Sequence, residues 1–396
     1  MQTAVIVDAV RSPTGRGKPG GALSSLHAVD LLAQVFKALM ARNDIDPGEV
    51  DDVLVGCVSQ AADQSGTPGR WAWLAAGLPE HVPAVTIDRR CGSSQQAAHF
   101  AAQGIMAGAY DIAVVGGIES MSRVPMGSAR MGGDPFGPTA SARYAPGLVP
   151  QGISAELVAA KWKLTRDQID AYALRSQQRA AQAAESGAYD AEIVPISTPD
   201  GTVVTADETI RPGTSADALA RLAPSFRSDE MRARFPEIDW SVTAGNSSSL
   251  ADGASALLVM SEWRAEQLGL RPLARFHAFA VVSDDPITML TGPIPATEKV
   301  LARAGLTIQD IDHFEVNEAF APVPLAWLAE TEADPERLNP RGGAIALGHP
   351  LGASGARLMT TMVHALEATG GRYGLQTMCE AGGMANATVI ERLGDA

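Results

Sequence analysis

The chain has very few cysteines, and their spacing excludes two common ways of stabilising a fold. Cys57, Cys91 and Cys379 are the three cysteines among 396 residues, and no Cys-x-x-Cys pair occurs. Three scattered thiols cannot form a disulfide framework, and structural zinc sites need closely spaced ligands. A reducing compartment is the simplest setting for free thiols, so the sequence predicts a cytoplasmic protein without a metal.

Positive charge and long apolar runs are also scarce. Lys and Arg total 31 against 45 Asp and Glu, which gives a formal net charge of −14 at pH 7. This balance argues against nucleic acid and anionic membranes as partners, and an anionic ligand would need a local basic patch. No apolar run reaches bilayer-spanning length, and no signal-peptide pattern precedes the strand predicted over residues 3–10.

The order of predicted elements divides the chain into three parts, as its length also favours. Residues 1–120 alternate apolar strands with helices, the pattern of a sheet covered on both faces. Residues 121–241 begin with a weakly periodic stretch rich in Gly, Pro and Ser. Residues 242–270 return to the first pattern with a Gly/Ser-rich turn, a short helix and an apolar strand, and residues 271–396 repeat it. The sequence thus predicts two αβ halves, 1–120 completed by 242–270 and 271–396, with 121–241 as an insertion.

Cys91 stands at a predicted junction between a strand and a helix. A β-branched run over residues 82–87 precedes it, and residues 95–107 are rich in helix formers. A thiol at a helix N-terminus beside Arg89 and Arg90 is expected to ionise readily, because positive charge stabilises the thiolate. The alternative is a small buried core residue, and this stretch alone leaves both open.

Three further turns carry reactive side chains. They are Asn317-Glu318-Ala319-Phe320, Gly348-His349-Pro350 and Cys379-Glu380-Ala381. Each alone also fits a structural role, but their order forms a weak internal repeat. Cys91, a turn, a helix and a strand parallel His349, a turn, a helix and the strand that ends at Cys379. Because ligands of αβ folds bind at the carboxyl ends of strands, we expect one site between the two halves.

Together these motifs resemble the thiolase family, nearly from end to end. The resemblance rests on Cys91-Gly92-Ser93, Gly116-Gly117-Ile118-Glu119-Ser120-Met121-Ser122, Gly245-Asn246-Ser247-Ser248, Asn317-Glu318-Ala319-Phe320, the stretch 342–352, and Cys379 with its glycines. The residues around Cys91 and Cys379 are most similar to those of actinobacterial lipid and steroid degradation thiolases. The resemblance implies an α/β fold with five layers (αβαβα) in two similar halves, an inserted loop domain (121–241) that binds coenzyme A, and a homodimer or homotetramer.

The resemblance also implies a role for each reactive residue. Cys91 would attack a 3-ketoacyl-CoA and carry the acyl group, while His349 accepts its proton. Cys379, with a thiol pKa near neutrality, would transfer protons at the acetyl carbon. Asn317 would hold a water near the enolate oxygen, and the amides of Cys91 and Ala381 would bind the oxyanion. This chemistry needs no metal.

The same resemblance implies coenzyme A as a co-substrate and no tightly bound cofactor. Its pantetheine would pass Ser248, Ala319 and Phe320. The alternative for Ser248 is helix capping by residues 247–249. Basic side chains of the insertion are the candidates for the nucleotide end, namely Arg227, Arg232 and Arg234.

Four residues at three places depart from the family pattern. Ser94 and Gln95 replace Gly and Leu after Cys-Gly-Ser, and Gln151 stands where a pocket loop usually starts with Met. These polar residues predict a wider, partly polar acyl pocket, suited to a bulky oxygen-bearing acyl group, although they fit a generalist enzyme equally well. Ala381 replaces the family's oxyanion glycine and would be strained if that position needs a positive φ.

Two other readings of function stay open beside a degradative thiolase. An acetoacetyl-CoA-forming biosynthetic thiolase differs only in substrate and direction. A catalytically silent acyl-CoA-binding subunit would be expected to have lost a reactive residue. A ketoacyl synthase shares the fold but uses a second His or an Asn where Cys379 stands.

Overall fold

The structure, a computed structural model, describes residues 2–394 of the chain. The N-terminal part alternates strands and helices, as the sequence predicts. Its elements are β1 (Ala4–Arg11), β2 (Gly15–Arg16), α1 (Ala28–Arg42), β3 (Asp52–Gly56), α2 (Pro68–Ala75), β4 (Ala84–Ile87), α3 (Ser93–Met106) and β5 (Ile112–Ser120). Helix α1 buries one apolar face that includes Leu32 and Phe36, which explains its helical period.

The middle of the chain is mostly helical and irregular. Its elements are α4 (Gly137–Arg143), α5 (Gln151–Lys161), α6 (Arg166–Glu185), β6 (Ile196–Ser197), β7 (Val203–Val204), α7 (Ala216–Ala220) and α8 (Asp229–Arg234). A capping box starts α6, because the side chains of Thr165 and Gln168 each accept from the other's backbone N–H.

The remaining part returns to strands and helices. Its elements are β8 (Ala251–Ser261), α9 (Glu262–Gln267), β9 (Ala274–Ser283), α10 (Pro293–Ala304), β10 (His313–Val316), α11 (Pro322–Thr331), α12 (Ala344–Leu347), α13 (Leu351–Thr369), β11 (Tyr373–Glu380) and β12 (Met384–Arg392). The short helix expected before the strand of residues 251–261 was wrong. Asp252 pairs there with Gly15 and Ser120, so sheet pairing extends the strand to its start.

One long sheet path contains the same strand pattern twice. Its order is β4-β3-β5-β8-β1-β9-β12-β11-β10. In the first half β3 and β5 are parallel, and β8 runs antiparallel to both β5 and β1. In the second half β10 and β11 are parallel, and β12 runs antiparallel to both β11 and β9. A short ladder, Val5 with Arg275 and Ile6 with Ala274, joins the halves.

Helices cover the outer faces of the two halves of this sheet and also fill the space between the halves. Helices α1 and α2 pack on the outer face of the first half, with Trp73 fully buried. Helices α10 and α11 pack on the outer face of the second half, where Val300 and Trp327 are buried. Helices α3 and α13 share the core between the two halves of the sheet, where Ile105 and Met359 belong to one apolar cluster. The five-layer fold of two similar halves is therefore confirmed.

The central helices approach the strand ends so closely that several positions accept only glycine. A Cβ atom at Gly56 would lie 2.3 Å from the Ser94 nitrogen and 2.7 Å from the Gly352 oxygen. A Cβ atom at Gly352 would lie 2.5 Å from the Ile118 oxygen. Backbone atoms cannot move aside cheaply at these distances. The glycines thus hold the first turns of α3 and α13 against the carboxyl ends of β3 and β5.

Replacing Gly56 with alanine should destabilise the fold by about 2 kcal/mol or more, because backbone of both central helices must shift. Urea unfolding followed by circular dichroism would measure the loss. Gly213→Ala is the matched control, since nothing lies within 4 Å of its added Cβ and its φ is not positive. Equal stability of the two variants would contradict this account of the packing.

Candidate active site

Cys91 lies at the junction of β4 and α3, where the sequence places it. Its side chain is buried, and Gly92 is the N-cap of α3. Arg90 directly before it has a φ of 49°, a left-handed conformation that costs about 1–3 kcal/mol in residues with a side chain. Ser93 stabilises this turn by accepting from the Arg89 N–H at 2.9 Å and donating to the Arg90 carbonyl at 2.5 Å.

The expectation that Cys91 is a ready thiolate was wrong. Burial raises the pKa of its thiol to about 12, and the nearby Glu380 carboxyl raises it further. A hydrogen bond from Gln151 acts in the opposite direction but does not compensate. The Arg90 guanidinium instead pairs with Asp88 at 3.4 Å. Cys91 is therefore a neutral thiol at rest and needs a base to become a nucleophile.

His349, the predicted base, is held in a fixed orientation. Its Nδ1 lies 2.6 Å from the Ser354 hydroxyl, which donates to the Pro350 carbonyl at 2.9 Å. The hydroxyl has one proton, so Nδ1 must donate and Nε2 carries the acceptor lone pair. Burial and then the charge of Arg357 lower the pKa of His349 to about 3. The imidazole is thus neutral and able to accept a proton.

Asn317 meets His349 from the carboxyl end of β10. Its Nδ2 lies 3.4 Å from the His349 Nε2, and its backbone N–H donates to the Thr377 carbonyl at 3.1 Å. The Asn317 Oδ1 is buried and has no partner among the described residues. A buried amide oxygen without a donor fits a bound water, which is the predicted role of this residue.

Cys379 lies at the end of β11 and is fully buried. Its expected pKa near neutrality was wrong, because burial raises the pKa well above the ordinary value and the neighbouring Cys91 adds to the shift. The strain expected at Ala381 is absent as well. The positive φ angles of this turn fall at Gly382 and Gly383, with values of 94° and 80°, and the φ of Ala381 is not positive.

The predicted pantetheine residues also come together. The Ser248 N–H donates to the Ala319 carbonyl at 3.0 Å, and Ser247 forms a β-bridge with Phe320. Ala319 and Phe320 pack in the same apolar cluster as Cys379. The chain after Ser248 enters strand β8 and not a helix, so the capping alternative for this serine is wrong.

The three candidate arginines differ in their surroundings. Arg227 and Arg232 are exposed, and Arg232 lies 3.6 Å from Asp229. Arg234 donates to the Gly147 carbonyl at 2.7 Å. Among residues 2–394, Arg227 has neither of these contacts and is exposed.

Two buried carboxylates align the site, and sequence reasoning assigned a role to neither. Glu119 accepts from the backbone of Val58 and Ser59 and from Gln64 at 3.0 Å, and from Gly352 at 2.9 Å. It therefore links the loop after β3 to the first turn of α13.

Glu318 supports the turn that carries Asn317. It accepts from Tyr172, Ser176, Asn339 and Ile345 at 2.7–3.1 Å. Glu119 lies in the motif 116–122 and Glu318 in the motif 317–320, and the chain resembles the thiolase family in both motifs. That resemblance was the signal in the sequence that could have found them.

Two of the three unusual polar residues do not line an acyl pocket. The Ser94 hydroxyl accepts from the Ala356 N–H at 2.9 Å, and the Gln95 amide donates to Thr388 at 2.7 Å. Both are fully buried and connect α3 to the second half, so their expected effect on the pocket was wrong. Gln151, which begins α5, does reach Cys91.

Comparison with known proteins agrees with this geometry. The family model for the thiolase N-terminal domain matches residues 4–263, and that for the thiolase C-terminal domain matches residues 270–392.

The chain belongs to the thiolase family.

Individual thiolases match over almost the whole chain. The steroid 3-ketoacyl-CoA thiolase FadA6 of Mycobacterium tuberculosis is 48% identical, over 99% of this chain and 95% of its own. A 3-ketoacyl-CoA thiolase of Pectobacterium carotovorum is 44% identical, over 99% and 100%. The acetyl-CoA acetyltransferase of Bacillus anthracis superposes with a TM-score of 0.88 at 37% identity, with 99% of both chains covered.

The described part of this thiolase contains no helix long and apolar enough to cross a membrane. Within residues 2–394, no group of three or more His, Cys, Asp or Glu side chains is arranged to hold a metal ion.

The low pKa of His349 predicts the acid side of the pH profile of this thiolase. Since a lowered pKa leaves the imidazole unprotonated above about pH 4, kcat/KM should not fall through the ordinary histidine range between about pH 7.5 and 5.5. Steady-state assays across this range test the claim. His81→Asn is the control, because His81 is exposed and bonds only the Gly48 carbonyl. An acid limb near pH 6.5 that the control shares would contradict a buried neutral base.

Proposed function

We propose that the chain is an acyl-CoA:acetyl-CoA C-acyltransferase that cleaves 3-ketoacyl-CoA with coenzyme A. The products are acetyl-CoA and a shortened acyl-CoA, and the intermediate is an acyl thioester on Cys91. The observation that carries this proposal is the burial of Cys91 beside Cys379 and of Asn317 beside His349, with Asn317 bonded to the strand that carries Cys379. Complete reactive residues also argue against a silent acyl-CoA-binding subunit.

In the first half-reaction Cys91 gives its proton to the Nε2 of His349 as its sulfur attacks the 3-keto carbon. The bond between C2 and C3 then breaks, and Cys379 donates its proton to the leaving acetyl carbon. Asn317, through a water, and His349 stabilise the enolate oxygen. The amides of Cys91 and Ala381 are the proposed donors to the tetrahedral oxyanion.

The second half-reaction restores every proton. The His349 imidazolium returns a proton to the Cys379 thiolate, so that both are neutral again. His349 then accepts the proton of coenzyme A as its sulfur attacks the thioester. Cys91 leaves as a thiolate and takes that proton from His349. High resting pKa values suit this scheme, because each thiol holds its proton until transfer.

Coenzyme A would lie along the insertion, with its pantetheine beside Ser248, Ala319 and Phe320. These residues lead toward Cys379 through a shared apolar cluster, which supports this path. Arg227, exposed near the same cluster through Phe226, is the favoured contact for the nucleotide phosphates. We propose that residues 121–241 form the inserted loop domain that binds coenzyme A.

His349→Ala and Cys379→Ala should both abolish thiolysis, but by different routes. Loss of His349 should prevent acylation, whereas loss of Cys379 should leave acyl exchange between thiols and block carbon–carbon cleavage. Intact-protein and peptide mass spectrometry should find one acyl adduct, on Cys91, in the Cys379 variant. Equal acyl exchange in both variants, or an adduct on Cys57, would contradict these roles.

For the substrate we propose a bulky 3-ketoacyl-CoA from fatty-acid or steroid degradation. The mycobacterial relative is named as a steroid thiolase, and Gln151 puts an amide beside the nucleophile where the family usually has Met. The alternative is an acetoacetyl-CoA-forming biosynthetic thiolase. The similar fold of the Bacillus anthracis acetyl-CoA acetyltransferase supports this alternative.

A substrate panel separates the two classes. kcat/KM should be higher for a ring-bearing or medium-chain 3-ketoacyl-CoA than for acetoacetyl-CoA, and Gln151→Met should narrow the difference. A pocket change of one methylene is worth about 1–3 kcal/mol, so a shift of roughly tenfold is expected. A clear preference of the unaltered enzyme for acetoacetyl-CoA would refute the bulky substrate and leave thiolysis intact.

The protein is further proposed to be a cytoplasmic homodimer or homotetramer. Strand β4 is a sheet edge that exposes Val85, and Phe100 on α3 is also exposed. An apolar exposed edge favours pairing with a second chain. Three free cysteines fit a reducing compartment.

A further inference from the structure

Glu380 is a buried acid that the proposed mechanism does not use. It follows Cys379 at the end of β11 and is fully buried. Neither carboxyl oxygen has a hydrogen-bond partner among residues 2–394. A buried carboxylate without donors is costly, so such a group is retained only where another requirement outweighs that cost.

The position of Glu380 relates it to the nucleophile. A Cβ atom at Gly92 would lie 2.1 Å from the Glu380 Oε1 and 2.7 Å from the Asn386 Nδ2. The carboxyl therefore occupies the side-chain space of the residue directly after Cys91. Asn386 completes this contact by donating to the Gly92 carbonyl at 3.0 Å. The turn that presents Cys91 thus rests on two side chains from β11 and β12.

Few charges stand near enough to compensate Glu380. Arg89 attracts it, Asp88 repels it, and the Arg89 Nε also lacks a partner among the described residues. Burial raises the pKa of Glu380 to about 8 despite Arg89. The acid is therefore mostly neutral below pH 8 and becomes an anion above it.

The other titratable groups around Cys91 come from separate elements. Glu119 lies on β5 and adds a weaker repulsion, and Cys379 lies on β11. His349 precedes α13, and Arg357 on that helix acts on His349. Glu380 is the charged group with the largest effect on Cys91.

We propose that Glu380 is a positioning residue for the nucleophile: its carboxyl supports the Cys91–Gly92 turn, and where the carboxyl is ionised its charge opposes ionisation of Cys91. The negative charge opposes a second negative charge on sulfur in the same buried space. Alkylating and oxidising agents react with thiolate, so above about pH 8 this repulsion also slows their reaction with Cys91.

Alkylation by iodoacetamide tests the proposal without any acyl-CoA, so its outcome is independent of the thiolase activity. The Cys91 thiolate displaces iodide, and a sulfur–carbon bond forms. The second-order rate would be measured by peptide mass spectrometry from about pH 6.5 to 9.5. Glu380→Gln should match the unaltered protein at low pH and react about three- to tenfold faster near pH 9, where only the glutamate is charged.

Two further variants separate charge from packing. Glu380→Asp keeps the charge and should remain slow near pH 9. Glu266→Gln is the matched control, since Glu266 is exposed on α9 and should not alter the rate at any pH. A purely structural role of Glu380 would instead change the rate by the same factor at all pH values.

The unaltered protein provides a test that does not depend on a variant folding. The logarithm of its alkylation rate should rise by less than one per pH unit around pH 8, because Glu380 ionises there and its charge then opposes formation of the Cys91 thiolate. In Glu380→Gln the logarithm of the rate should rise by one per pH unit. A slope of one throughout in the unaltered protein, or equal rates of the two proteins near pH 9, would overturn the proposal.

Discussion

The close approach of α3 and α13 between the two halves of the sheet is the constraint on which the rest of the structure depends. Cys91 precedes one helix and His349 precedes the other, so the distance between the helices sets the distance between the proposed nucleophile and the proposed base. Glycine at positions 56 and 352 permits that approach, since a Cβ atom there would overlap backbone of the opposite element. The same packing buries the site completely.

Burial then determines the chemistry of the resting site. It keeps both thiols protonated and the imidazole neutral, so no ion pair forms between Cys91 and His349 before substrate arrives. In the proposed mechanism, charge develops only during proton transfer, next to the backbone amides proposed as oxyanion donors. This arrangement favours stabilisation of the transition state over stabilisation of a free thiolate.

Polar side chains inside the molecule keep the parts in register. Glu119 binds the loop after β3 and the first turn of α13, so one carboxylate connects the two halves at the site. Glu318 binds residues of α6 and the first turn of α12, and thereby attaches the segment 121–241 to the loop of Asn317. Arg11 pairs with Glu192 and Asp207 of the insertion in the same way. Such buried networks require all their partners, which makes the alignment specific.

The sequence by itself determined the alternation of strands and helices, the two similar halves, and the turns that carry Cys91, Asn317, His349 and Cys379. These features depend on local periodicity and on short motifs, which are readable in one dimension. Only the tertiary structure decided the start of β8, the inward role of Ser94 and Gln95, and the ionisation of the thiols. Strand pairing, burial and the charge of Glu380 come from residues distant in the chain, and pKa values respond to that three-dimensional surrounding rather than to sequence neighbours such as Arg89 and Arg90.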